Sequence, residues 1–280
     1  MLYPTRILVL AAVLGLSLPP VAVASGEQRT SPVVAESTPP AGTEGLAVKW
    51  KTVTVADLGV MLIAVARPSG EGPFPAVLVL HGTHGFAQEY VRLAQALARQ
   101  GRLAVAACWF TGGGGPGARF VTPITGCPDA PAMSAATSDL ASQTVDALAR
   151  AVRSLPDARP GPVALFGHSR GGGAALNYVL KGGEARALIL DNTGYPAEVT
   201  DRAARVDVPV LILHGTVNHA DDGGSALSTV EMARNFESAR RRLGKPVTAI
   251  YYDGSGHNGI FINPKQFDDE VRRTAAFVAQ

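Results

Sequence analysis

A short apolar run, Pro162-Val163-Ala164-Leu165-Phe166, passes directly into Gly167-His168-Ser169-Arg170-Gly171 and then into an Ala- and Leu-rich stretch over residues 172–180. Strand, sharp turn and helix in that order confine the chain to folds in which a buried strand feeds a helix across one tight corner. Glycines around Ser169 permit the corner, and peptide N–H groups at the helix start favour negative charge in the space that Ser169 faces. The same alternation recurs along the chain. Residues 46–56 and 60–66 read as early strands, and 76–80 as a continuous apolar, buried strand. A helix is predicted over 88–99, with Gly101 suited to its stop, and a strand over 103–110. Ala141, Val145, Leu148, Val152 and Leu155 mark one helix face. Strands follow at 187–190 and 209–213, a helix through Val230, Ala233 and Phe236 ends by Gly244, and the last strand covers 246–252. Asn263 and Pro264 open a final helix carrying Phe267, Val271 and Val278. Repeated strand-helix alternation predicts an α/β fold with a mostly parallel central sheet and helices on both faces.

The N-terminus lies outside this pattern. Arg6, an apolar run over residues 7–18 and Ala22-Val23-Ala24 compose a secretory signal peptide over residues 1–24, with cleavage after Ala24. Its apolar run is short for a membrane span, so contact with the membrane is expected only during export, to the periplasm or the medium. Residues 25–45, rich in Pro, Ser, Thr and Glu, read as a flexible leader. Residues 46–280 suit one large domain. The 25 basic and 23 acidic residues nearly balance, which argues against nucleic acid as a partner. In an exported chain Cys108 and Cys127 are candidates for a disulfide; two separate thiols, Cys108 buried, are the other reading. Neither has metal-ligand spacing.

A serine hydroxyl is a weak nucleophile and needs a base. Asp253-Gly254-Ser255-Gly256-His257-Asn258-Gly259, after the last strand, is a glycine-flanked loop able to present His257. Four features occur in order: His81-Gly82, Gly167-His168-Ser169-Arg170-Gly171-Gly172, His214-Gly215 and Gly256-His257. Together they resemble the α/β-hydrolase superfamily, and within it the dienelactone-hydrolase-like branch of serine esterases, over residues 46–280. The resemblance implies an α/β-hydrolase fold, Ser169 as nucleophile and His257 as base. It implies backbone N–H groups of Thr83 and Arg170 as oxyanion donors. It places the third member of the triad in an H-G-x-x-D segment, and here that position holds Asn218. Asp221 and Asp222 follow closely, so the acid stays open among Asp221, Asp222 and Asn218. A carboxylate suits the role better, because an amide cannot supply charge to an imidazolium.

The expected activity is hydrolysis of a carboxylic ester, small or polymeric, through an acyl-enzyme, with no metal or organic cofactor. A peptidase or amidase, or an acyltransferase, would use the same residues, and a non-catalytic binding protein on the scaffold is the remaining class. The Gly- and Pro-rich stretch 111–137 reads as a long loop. Its Gly112-Gly113-Gly114-Gly115 run either borders the pocket or is plain surface. His84 either lines the pocket or is a polar loop residue, and Trp109 and Phe110 either wall the pocket or pack in the core.

Overall fold

The computed structural model describes residues 30–113, 120–124, 127, 129–217 and 226–280. Its strands are β1 (Val33–Glu36), β2 (Lys49–Val55), β3 (Gly59–Ala66), β4 (Ala76–Leu80), β5 (Leu103–Ala107), β6 (Ala164–His168), β7 (Leu188–Asp191), β8 (Val210–Gly215) and β9 (Val247–Tyr252). Its helices are α1 (Gln88–Arg99), α2 (Asp139–Arg153), α3 (Arg170–Leu180), α4 (Ala197–Thr200), α5 (Val230–Arg242), α6 (Gly259–Ile262) and α7 (Pro264–Ala279). Among the described residues the nine strands form one sheet in the order β1-β2-β3-β5-β4-β6-β7-β8-β9. The first three strands are antiparallel, β3 meets β5 antiparallel, and the ladder from β5 through β9 is parallel.

The continuous apolar runs become the centre of the sheet. Every residue of β4, β5, β6, β7 and β8 is buried. A strand buried on both faces needs helices on both, and right-handed crossovers supply them. The chain steps from β4 to β5 in one direction and from β5 past β4 to β6 in the other, so α1 and α2 fall on opposite faces. Accordingly α1 packs with α7, and α2 packs with α3. This reversal opens a crevice at the carboxyl ends of β4 and β6, where ligands settle in open parallel sheets. The segment 81–86 leaves β4 there, and Ser169 leaves β6 there.

Two elements differ locally from the sequence-based expectation, and one open alternative is resolved. The leader expected over 25–45 contains β1: Val34 packs on the core, Glu36 pairs with Lys51, and the strand closes one sheet edge. The strand expected to reach residue 110 stops at Ala107, and the next residue, Cys108, is joined to Cys127 in a disulfide. Trp109 and Phe110 belong to the core: each is 1% exposed, and Trp109 Nε1 donates to the His81 carbonyl at 2.9 Å.

Candidate active site

Ser169 occupies the corner between β6 and α3 with φ 52° and ψ −117°, a conformation that costs a non-glycine residue on the order of 1–3 kcal/mol. The surroundings enforce it. Ser169 N donates to the Asp191 carbonyl on β7 at 2.8 Å, and its own carbonyl accepts from Gly173 N at 3.1 Å. Two glycines are required by close approach. A Cβ on Gly167 would overlap Gly172 N, and one on Gly171 would overlap the Leu80 carbonyl oxygen. The strand and helix can therefore meet at this angle only with bare backbone at those positions.

His257 follows β9, and it is buried. Its Nε2 lies 2.9 Å from Ser169 Oγ, so the sheet brings together the two residues expected to act as nucleophile and base. A hydroxyl hydrogen-bonded to an imidazole nitrogen can lose its proton as the oxygen attacks. On the other side of the ring, Nδ1 lies 3.2 Å from Ser228 Oγ, and Ser228 is only 4% exposed. Sequence reasoning did not find Ser228. It directly precedes Thr229, whose side chain caps α5, so a hydroxyl there reads as part of a helix start. Asn218, Asp221 and Asp222, the expected candidates for the acid, lie outside the described residues.

The expected oxyanion donors sit on the two loops that flank the crevice. Thr83 follows β4 and Arg170 is the first residue of α3; their side chains join through Arg170 Nε to Thr83 Oγ1 at 3.2 Å. Neither backbone N–H donates to another described residue. Both residues line, with Ser169, a cavity of about 400 Å³ whose apolar walls include Ala135, Leu176, Val199 and Leu227. A larger cavity of about 510 Å³ between α1 and α7, bordered by Arg92, Phe120 and Phe267, does not include Ser169, Thr83 or Arg170 in its lining.

His84 turns away from the smaller cavity and stacks on Tyr90 with ring centroids 5.4 Å apart. Gly112 and Gly113 lie against Gly85 of the loop after β4; Gly114 and Gly115 lie outside the described residues. Burial sets the electrostatics of this layer. Removal from water holds His84 down at about 4 and His81 at about 3, and keeps His168 well below the usual imidazole range. Below them, desolvation pushes the carboxyls of Asp191 and Glu270 well up.

Residues 62–278 match the model of the dienelactone hydrolase family. No curated protein matches the chain by sequence. Among solved structures, an esterase of Pyrococcus furiosus is 14% identical, with a TM-score of 0.64 over 89% of this chain and 98% of that one. A dienelactone hydrolase-like promiscuous phosphotriesterase from metagenomic libraries is 16% identical, with a TM-score of 0.59 over 89% of this chain and 98% of that one. The dipeptidyl peptidase 4 of Porphyromonas gingivalis is 16% identical, with a TM-score of 0.57 over 82% of this chain and 35% of that one. These likenesses are in fold.

Proposed function

The chain belongs to the dienelactone hydrolase family, and from that premise we propose that it is an exported serine hydrolase that cleaves carboxylic esters through an acyl-enzyme. The observation that carries this reading is the 2.9 Å contact between His257 Nε2 and a serine in a left-handed corner. Ser169 Oγ attacks the ester carbonyl carbon while His257 Nε2 takes its proton. The carbonyl oxygen becomes an oxyanion held by the N–H groups of Thr83 and Arg170, the latter at the start of α3 where the helix end favours negative charge. His257 returns the proton to the departing alcohol oxygen, leaving an acyl group on Ser169. Water, deprotonated by His257, then releases the acid. Ser228 Oγ accepts from His257 Nδ1–H and holds the ring with Nε2 toward Ser169; a carboxylate from Asp221 or Asp222, or the amide of Asn218, completes the support.

The apolar walls of the 400 Å³ cavity suit the acyl portion of an ester, whether free or at the end of a polymer. A peptidase or amidase is the second reading, favoured by the shared fold with the Porphyromonas gingivalis peptidase, and an acyltransferase would use the same acyl-enzyme. Export rests on the signal-peptide pattern of residues 1–24 and on the Cys108–Cys127 disulfide, which suits an oxidising compartment. Among the described residues no helix is long and apolar enough to cross a membrane.

The deciding experiment uses the chain from residue 25 onward. It should release p-nitrophenol from short acyl esters faster than it cleaves the matching anilides. A fluorophosphonate should label Ser169, and Ser169→Ala should abolish both signals. A folded protein that takes no label, or a Ser169→Ala variant that retains turnover, rules out the mechanism. Competition by added alcohols that yields a new ester would favour acyl transfer.

A further inference from the structure

Behind the Ser169–His257 pair runs a chain of four side-chain hydrogen bonds with no assigned purpose. His168 Nε2 lies 3.2 Å from the His257 carbonyl oxygen. A carbonyl only accepts, so the His168 proton resides on Nε2 and Nδ1 is an acceptor. That Nδ1 lies 3.0 Å from Tyr90 Oη, so the phenol donates its one proton there. The phenol oxygen then accepts, from Gly82 N at 2.8 Å and from His84 Nε2 at 2.6 Å, which must itself carry a proton. One assignment satisfies every group, with both histidines neutral. Their depressed basicity in this buried layer agrees.

The chain joins parts that are distant in sequence. Gly82 and His84 flank Thr83 in the loop after β4. Tyr90 is fully buried on α1, and His168 immediately precedes Ser169. The last acceptor is the main chain of His257 itself. Phe261 on α6 closes the layer edge-on, 5.1 Å from Tyr90, 5.1 Å from His168 and 5.9 Å from His84, between ring centroids. There is no slack: a Cβ on Gly82 would come within 2.7 Å of His168 Nδ1.

We propose that His84, Tyr90 and His168 are positioning residues which tie the loop holding the oxyanion donor to the loop holding His257, setting their separation across Ser169. The proposal rests on Ser169 and His257 acting as nucleophile and base. Breaking the chain at its centre uncouples the two loops, since Tyr90 Oη joins Gly82 and His84 to His168, which in turn holds the His257 main chain. Misplacement of reacting groups by about 1 Å can cost on the order of 100-fold in rate. None of the three residues lines the 400 Å³ cavity beside Ser169.

Tyr90→Phe keeps the ring and removes only the hydroxyl. It should lower kcat for p-nitrophenyl esters by about 10- to 100-fold, with KM within about threefold. Fluorophosphonate labelling should slow by a similar factor, while the variant, its melting temperature lowered by about 10 °C as three buried groups lose a partner, stays folded at 25 °C. His168→Gln, which retains an N–H donor, should lose less than His168→Phe, and Tyr90→Phe combined with His168→Phe should lose little more than the worse single variant. If the histidine variants fail to fold, Tyr90→Phe alone decides. Tyr90→Phe with unchanged kcat, or with a loss confined to KM, overturns the positioning role while an inactive Ser169→Ala leaves the nucleophile assignment standing. An active Ser169→Ala overturns that assignment and the chain with it.

Discussion

Replacing Arg240 by methionine should destabilise the protein by about 3–5 kcal/mol without altering its turnover at 25 °C. Arg240 is fully buried on α5, with its guanidinium among main-chain carbonyls. Nη1 donates to Val206 O at 2.8 Å and more weakly to Ala203 O at 3.4 Å; Nη2 donates to Val208 O and Pro246 O, each at 2.9 Å. Three short charge-assisted bonds contribute on the order of 1.5–3 kcal/mol each. Against this stands desolvation, which pushes the guanidinium down to about 10, a cost of about 3 kcal/mol for keeping it charged. The charge and its bonds together leave a net gain of a few kcal/mol. Methionine removes the charge but leaves three or four carbonyls without a donor, each costing about 1–3 kcal/mol if it stays dry. The acceptors precede β8 and β9, at the opposite end of the parallel strands from Ser169, so the reacting groups should not shift. Thermal unfolding should show a fall of about 10 °C, and Arg240→Lys, which cannot span both pairs of acceptors, should fall between. A methionine variant melting within about 2 °C of the parent would refute the reasoning, because the carbonyls would then have found other donors.

Ser228→Ala, which removes a partner of His257 Nδ1, should lower kcat about fivefold, as one hydrogen bond of about 1 kcal/mol implies, with KM little changed. Glu270→Gln should stabilise the protein increasingly as pH rises. The buried carboxyl holds its proton above the ordinary carboxylate range, so its favourable contribution is complete at low pH and is lost as the unfolded chain ionises and the pH climbs toward the raised value. The difference in melting temperature between variant and parent should therefore grow from pH 5 to pH 9, and a flat difference would count against it. Replacing both Cys108 and Cys127 by alanine reopens a loop with a sequence separation of 19 residues, and chemical denaturation should report a loss of about 3 kcal/mol.

The parallel half of the fold was legible because its strands are continuous apolar runs between glycines and helical periodicity, as in Ala76–Leu80 and Val210–Gly215. The corner at Ser169 was legible for a related reason: close approach leaves room only for glycine at positions 167 and 171. Other parts carry no such signature. β1 has four residues, mostly exposed, in a Pro- and Ser-rich stretch, so nothing in its composition distinguishes strand from leader. Tyr90 falls on the buried face of α1, where periodicity reads any aromatic as core, and its hydroxyl chemistry emerges only when His168 arrives from a segment 78 residues away. Ser228 was hidden by helix-start chemistry. Trp109 and Phe110 were ambiguous because an aromatic suits a pocket wall and a core equally well.

The short strand β1 has a consequence for how this protein can be handled. It caps the antiparallel end of the sheet, and at four residues, with Glu36 beside Lys51, it offers little ladder to another molecule. Beneath it, β2 is seven residues long, with Trp50, Val53 and Val55 buried and Lys49 and Thr54 exposed. A recombinant chain begun after Glu36 would leave the outer hydrogen-bonding groups of β2 open to a second molecule, a template for edge-to-edge aggregation. Expression boundaries and proteolytic trimming should therefore fall before Val33, because four weakly buried residues are what keep the seven-residue ladder of β2 from becoming adhesive.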